Sequence, residues 1–365
     1  MANSTRKKPV RQPVKSSQKT KPILIVLILA VIIALIVLYQ TLFAAAVDTE
    51  QQVSVEKGDT YYSLLAKQGW TDNALALPAL AKAYVSLSAD KPLQAGKYTI
   101  PSGASLASIM DILQQGGQSE QVVIRIVEGK TIKDLYQAIK TTDGVTLELL
   151  TPPADGYAWT DVARDNAAVA AALGIDAPNQ HLEGWFAPNT YHFNAGVSDK
   201  AILQKLYDDQ KRILDEAWQA RDDNLPYQTP YEALIMASII EKETGIADER
   251  SLVSSVFVNR FAKDMKLQTD PTIIYGLFDR YDGKIYRSNI NEKNEYNTYQ
   301  INGLPITPIA LPSKESILAT MHPDKSDVLF FVATGNGGHK FSKTLDEHNK
   351  AVEEYRAVMR QKERQ

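Results

Sequence analysis

The segment Thr229–Gly245, TPYEALIMASIIEKETG, decides how the chain is read, because its middle is too apolar to sit outside a core. Thr229 is a strong N-cap, Pro230 suits the first helical position, and Glu232 completes a T-x-x-E capping box. Gly245 stands where a helix would stop. At roughly 100° per residue from Ala233, Met236 falls near ~300° and Ile239 near ~240°, with Glu243 between them at about 280°. Glu241, Ser238 and Lys242 fall near ~80°, ~140° and ~180°, an arc interrupted by Leu234. The two glutamates of EKE therefore differ: Glu241 shares a polar arc with Lys242, whereas Glu243 continues an apolar stripe.

Desolvation disfavours the charged form of a carboxyl on such a stripe and raises its pKa, as a general acid working near neutral pH requires. The plainer alternative is a helix-end glutamate paired with a base such as Arg250.

Working outward, the 365-residue chain is long enough for more than one domain, and its net charge of −3 conceals an asymmetry. Residues 1–22 carry Arg6, Lys7, Lys8, Arg11, Lys15, Lys19 and Lys21 and no acid, so the remainder is acidic. That balance argues against a nucleic-acid-binding body. Ile23 to Phe43 is apolar apart from Tyr39, Gln40 and Thr41, and its 21 residues make a helix of about 31 Å, enough to cross a bilayer. A cleaved signal peptide is the rival, since Ala44-Ala45-Ala46 resembles a cleavage site. The apolar run exceeds a usual signal core, which favours an uncleaved anchor. Bases before it and acids after it (Asp48, Glu50) put the amino terminus in the cytoplasm and the bulk of the chain outside.

There is no cysteine, and the five histidines form no H-x-x-x-H pair, so neither a thiol nucleophile nor a recognisable zinc motif is present. No phosphate-cradling glycine loop occurs. No metal and no cofactor is expected.

After a linker (44–51), residues 52–101 read as strand, helix, helix, strand: Val53 and Val55 alternate, the chain turns at Gly58, and Asp59 or Thr60 caps a helix. A second helix is expected over Ala74–Leu87 and a strand over Lys97–Ile100. The pattern V-x-x-G-D-T…S-L resembles a LysM module, a small glycan-holding βααβ unit. Residues 102–140 form a second βα unit, with a helix over Ser105–Gln115, a strand over Gln121–Val127 and a helix opening after Gly129. EGKT there echoes KGDT, so it reads as a degenerate second copy. From Thr141 to about Gln180 the Pro-, Asp- and Ala-rich chain reads as surface loops and short helices.

The distal domain (141–365) gathers dense motifs. HLEGWFAPNTYHF contains Glu183, Trp185 and Tyr191. Ala201–Asp222 and Glu249–Ala262 read as helices, and KLQTDPTIIYGL places Gln268, Thr269 and Asp270 before a short apolar element ending in Tyr275-Gly276-Leu277. EYNTYQINGLPITPIALP brings Asn297, Tyr299 and Asn302 into a loop. Val328–Ala333 reads as a buried strand, followed by a Gly-rich turn and a closing helix. Short strands alternating irregularly with helices make the fold class α+β.

Taken in order, LEGWFAPNTY, ASIIEKET, VFVNR, LQTDPTIIYGL, YNTY, GLP, GGHKF and EHN resemble the endolytic murein transglycosylase family, the YceG-like proteins of bacterial inner membranes. The family's G-L-P-P-G-P-I is GLPITPI here, from Gly303 to Ile309. The resemblance implies that Glu243 is the catalytic acid of an exported enzyme cutting nascent peptidoglycan strands internally. It implies a lyase: the muramic acid C6 hydroxyl replaces water, leaving 1,6-anhydro ends. It also implies partners among peptidoglycan synthases or division proteins. Glu183 and Asp270 are candidates to stabilise an oxocarbenium-like transition state. Gln268, Asn297 and Asn302 are candidate sugar partners, Tyr275, Tyr299 and Trp185 candidate stacking surfaces, and His339 a residue shaping the site. Two rivals stand beside this reading: an inactive membrane-tethered glycan-binding scaffold, and a water-using muramidase with Glu183 or Asp270 as its second carboxylate.

Overall fold

A computed structural model describes residues 20–56, 58–70, 78–117, 121–152 and 156–362. Most of the basic tail, Lys57 of the KGDT turn, and residues 71–77, which include the expected start of a helix at Ala74, lie outside the described residues. The chain divides between Glu120 and Gln121 into two compact units. That boundary falls inside the segment 102–140, giving its first helix to one unit and its strand and second helix to the other.

The first unit opens with α1 (Thr20–Leu42). Its stretch Ile23–Leu42 has a mean hydropathy of 3.2 and is long and apolar enough to cross a membrane. Then come β1 (Gln51–Val55), α2 (Tyr61–Lys67), α3 (Pro78–Ser88), β2 (Gly96–Ile100) and α4 (Leu106–Gln115). The β-α-α-β order is the one the pattern predicts. β1 and β2 pair antiparallel with Val53 opposite Tyr98, and the inward residues Val53, Val55, Tyr98 and Ile100 join Leu64, Leu65, Ile109 and Met110 in one core. Thr60 caps α2 in a box with Ser63, whose hydroxyl accepts from the Thr60 N–H at 2.9 Å.

The second unit begins with β3 (Gln121–Arg125), α5 (Ile132–Thr141), β4 (Val145–Thr146) and α6 (Trp159–Leu173). The EGKT echo is a local likeness: Thr131 caps α5 with Asp134 as Thr60 caps α2 with Ser63. β3, however, pairs antiparallel with β5 (Thr190–Asn194), Ile124 facing Tyr191, so the segment does not repeat the βααβ unit. The region expected to hold surface loops and short helices contains the 15-residue α6, which is not on the surface but packs into the core through Val162 and Val169. Its buried face also carries Asp165 and Asn166, which hides the face from hydrophobic patterning. Tyr136 donates to Asn166 Oδ1 at 2.9 Å, and Lys140 meets Asp165 at 2.6 Å with both side chains 1 % exposed.

β6 (Val197–Ser198) runs parallel to β4 and leads into α7 (Asp199–Gln219). Next come α8 (Pro230–Glu243), α9 (Arg250–Ala262), α10 (Asp270–Leu277), α11 (Arg287–Asn291) and α12 (Lys314–Met321). An antiparallel hairpin, β7 (Phe330–Ala333) with β8 (His339–Ser342), and α13 (Leu345–Lys362) complete the unit. The strand expected as buried over Val328–Ala333 starts two residues later and is only half-buried. Helices with small two-stranded sheets make the protein α+β.

α8 is the centre of the second unit, packed against α7, α9, α10 and α12. Every residue from Ala233 to Ile240 is buried, Ser238 included, so the helix has no solvated face before its last turn. Ser238 is satisfied internally, donating to Ile235 O at 2.7 Å and accepting from Ile309 N at 2.9 Å. Thr229 caps as expected, accepting from Glu232 N at 3.2 Å, but Glu232 returns to Gln228 N rather than to Thr229. The helix ends at Thr244, which turns extended (φ −145, ψ 132), one residue before the expected Gly245.

Candidate active site

Because α8 stops at Glu243, this carboxyl emerges from the core at the wall of a cavity of about 360 Å³. Arg260 from the end of α9, the Gln268-Thr269-Asp270 corner before α10, and Tyr299 share that wall. The Thr269 hydroxyl donates to Glu243 Oε1. Thr269 is itself fixed: its N–H donates to Thr298 Oγ1 at 3.0 Å and its carbonyl accepts from Thr272 Oγ1 at 2.7 Å. Gln268 adopts a left-handed backbone (φ 48) with its N–H on Thr298 O at 3.2 Å, which turns the chain at this corner.

Glu243 is half-buried by accessible surface, yet enclosed closely enough by protein that its pKa is raised. Desolvation is the largest cause; the Thr269 hydrogen bond opposes it, the Asp270 charge adds to it, and His339 and Arg260 oppose it. Among the described residues no base lies within ion-pair distance of Glu243, and Arg250 leaves its buried Nε without a partner. The helix-end ion pair with Arg250 is therefore not formed.

Gln268, Asp270 and Tyr299 thus come together with Glu243. Tyr299 donates to Asp270 Oδ1 at 2.7 Å, and burial raises the phenol's pKa. Glu183 and Tyr275 lie in the core instead of lining this cavity. Glu183 is completely buried, accepting from Ile132 N, the first residue of α5, at 2.9 Å and from Tyr275 Oη at 3.0 Å. Burial pushes its pKa up to about 8 against those hydrogen bonds. Asn297 is buried too, donating to the carbonyls of Asn289, Ile290 and Glu292, which closes the loop after α11. Asn302 is exposed and Trp185 stacks on Tyr231 at 5.6 Å; neither lines the cavity. His339 bonds through Nδ1 to Glu249 Oε2 at 2.7 Å and reaches Glu243 by its field rather than by contact.

The sequence marked Thr269 only as a polar neighbour without a role and did not point to Arg260, Phe330 or His348, though all four are on the cavity wall. Thr269 stood inside LQTDPT, Arg260 at the end of VFVNR and His348 within EHN, so the signal was proximity to already marked motifs.

Comparison with known proteins bears on the same region. The YceG-like family model matches residues 53–354. An endolytic murein transglycosylase of Bacillus subtilis (strain 168) is 31% identical over 274 residues, covering 74% of this chain and 76% of that protein. One from Streptococcus pneumoniae serotype 2 (strain D39) is 28% identical over 295 residues, 72% of this chain, which spans about half (51%) of that relative's length. A crystallised yceG-like protein from Listeria monocytogenes is 28% identical, with a TM-score of 0.49 over 82% of this chain and 98% of its own. A match that runs from the first strand into the last helix takes in both units and every residue of the Glu243 cavity, and this chain belongs to the YceG-like family.

Proposed function

We propose that the protein is a membrane-anchored lytic transglycosylase that cuts peptidoglycan strands internally, with Glu243 as its single acid and base. The observation that carries this reading is a helix-end carboxyl of raised pKa at the wall of an open cavity, its Oε1 engaged by Thr269. The relatives named endolytic murein transglycosylase supply the substrate class.

Protonated Glu243 donates to the glycosidic oxygen between N-acetylmuramic acid and N-acetylglucosamine, and the bond from that oxygen to the anomeric carbon breaks. The departing sugar leaves as a neutral alcohol. The Glu243 carboxylate then takes the proton of the muramic acid C6 hydroxyl, whose oxygen closes on the anomeric carbon as a 1,6-anhydro ring. The proton returns to Glu243 and no water is consumed. Asp270 stands on the same wall to favour the developing positive charge. Arg260 and His339 lower the pKa of Glu243, which eases its spell as carboxylate. The apolar stretch of α1 would hold the chain in the inner membrane, with the site on the outer, periplasmic side. Strand termination and contact with synthases or division proteins belong to this proposal on the family resemblance alone.

Asp270 also favours a second reading, in which it activates water as a muramidase would. Mass spectrometry of digested glycan strands separates the two: anhydro ends for the lyase, reducing ends for the hydrolase, no cut for an inactive scaffold. Glu243→Gln keeps the shape and removes the acid; cleavage at the wild-type rate by that variant would discard the assignment.

A further inference from the structure

Three side chains on the wall of the Glu243 cavity neither give nor take a proton in the proposed reaction: Arg260, which acts on Glu243 only through its charge, Phe330 and His348. They form a contiguous surface. The Arg260 guanidinium carbon lies 5.4 Å from the centre of the Phe330 ring, and the His348 ring stacks on the same phenyl at 5.2 Å with an interplanar angle of 26°.

Each brings an unfilled capacity. Arg260 is buried, and two of its N–H groups are spent on backbone: Nε on Leu329 O at 2.7 Å and Nη1 on Leu267 O at 2.5 Å. Those bonds pin the guanidinium and leave its other donors without a protein acceptor, since no carboxylate lies within ion-pair distance of it among the described residues. Among the described residues His348 makes no side-chain hydrogen bond, and since its Nδ1 is sealed from solvent, Nε2 is the nitrogen a ligand in the cavity can meet. Burial and the Arg260 charge lower its pKa, which favours the neutral ring, and with the proton on Nδ1 the other nitrogen accepts. Phe330 is half-buried and brings apolar surface to the cavity wall between the other two.

A fixed donor, a neutral acceptor and an apolar plane side by side complement one common group: an acetamide, with a carbonyl, an N–H and a methyl. A carboxylate would satisfy Arg260 but bring no donor for the imidazole, and a hydroxyl would leave the phenyl uncovered. We propose that Arg260, Phe330 and His348 form the subsite for the 2-acetamido group of the amino sugar in the cavity. Its carbonyl oxygen accepts from Arg260, its methyl lies on Phe330, and its N–H donates to His348. The proposal rests on the reading that the cavity takes an amino-sugar strand, and it makes these residues specificity-determining rather than catalytic.

The test uses the full chain in detergent micelles, carrying Glu243→Gln so that binding is read without turnover. Two neutral probes of equal length are titrated calorimetrically: the β-1,4 tetramer of N-acetylglucosamine and the β-1,4 tetramer of glucose. The parent protein is expected to prefer the N-acetylated tetramer. Adding His348→Phe, which keeps a flat ring on Phe330 and deletes the nitrogens, is expected to reduce that preference by about three- to tenfold, the worth of one hydrogen bond. Arg260→Lys should reduce it similarly, the ratio of the two affinities being the readout in both. A purely structural role would weaken both probes equally and leave their ratio intact. No preference in the parent, or a ratio unmoved in both variants, overturns the subsite. Failure of the transglycosylase reading shows separately, as strands that the wild-type protein leaves uncut.

Discussion

The Thr269 hydroxyl donates its hydrogen bond to Oε1 of Glu243, joining the corner before α10 to the last residue of α8. That bond lowers the carboxyl's pKa while burial, the larger effect, raises it. Thr269→Val removes the donor, so the pKa of Glu243 moves further up and the alkaline fall of the pH–rate profile moves with it. The rate should drop about tenfold or more, because a hydrogen bond to a charged group contributes ~1.5–3 kcal/mol. Thr269→Ser should restore both. Strand cleavage measured across pH checks the claim; an unmoved alkaline limb in the valine variant would refute it.

Glu243 was legible because a helix wheel needs only the spacing of apolar residues, and its place on the Met236–Ile239 stripe survives in the fold. The rest of the wheel was not, since tertiary packing buried Ser238 by giving it partners on Ile235 and Ile309. Glu183 read as a cleft acid because its neighbours are motif residues, yet its carboxylate faces inward onto the N-terminus of α5. Sequence spacing cannot say that Ile132 lies beside it, 51 residues earlier in the chain. α6 escaped for a related reason: its inner face carries Asp165 and Asn166, and only their partners Lys140 and Tyr136 make that face fit to bury.

Glu183 makes stability fall as pH rises. Its pKa stands at about 8 in the fold against an ordinary 4.5, so the folded state holds a proton that the unfolded state releases between those values. The contribution is complete below pH 4.5 and is lost as pH climbs through about 8. At ~1.36 kcal/mol per unit, the loss between pH 4.5 and 7 is on the order of 3 kcal/mol. Glu183→Gln, which still accepts from Ile132 N, should flatten that dependence. Urea denaturation at several pH values measures it, and an equally steep slope in the variant would assign the effect elsewhere.

Lys140 and Asp165 form a sealed ion pair, with Tyr157 donating to Asp165 Oδ2 at 2.8 Å and its ring 3.7 Å from the Lys140 ammonium. Removing Lys140 leaves Asp165 only the exposed Arg164 guanidinium at 3.8 Å, so Lys140→Met alone should cost up to about 3–5 kcal/mol. Lys140→Met with Asp165→Leu should recover part of that loss, because no bare carboxylate remains. Thermal melts of both variants test the coupling. A double variant no more stable than the single one would show that the hydrogen bonds Asp165 accepts from Tyr157 and Thr151 matter more than the charge pair.

Glu241 and Glu243 stand two residues apart and should answer to opposite assays. Glu241 accepts from Ser313 N at 2.9 Å and Ser316 Oγ at 2.7 Å, so it ties the start of α12 to the end of α8. Glu241→Ala leaves those donors unpaired and should lower stability by about 1–3 kcal/mol, with cleavage per folded molecule largely kept. Glu243→Gln should abolish cleavage without loss of stability. The sign follows from its raised pKa: burial disfavours the ionised form in the fold, so an amide that cannot ionise is no worse at neutral pH and better as pH rises. Denaturation midpoints at pH 6 and pH 8, read beside strand cleavage, separate the two roles. If Glu243→Gln were the variant that melted early and Glu241→Ala the one that stopped cutting, the assignment of the acid to Glu243 would be wrong.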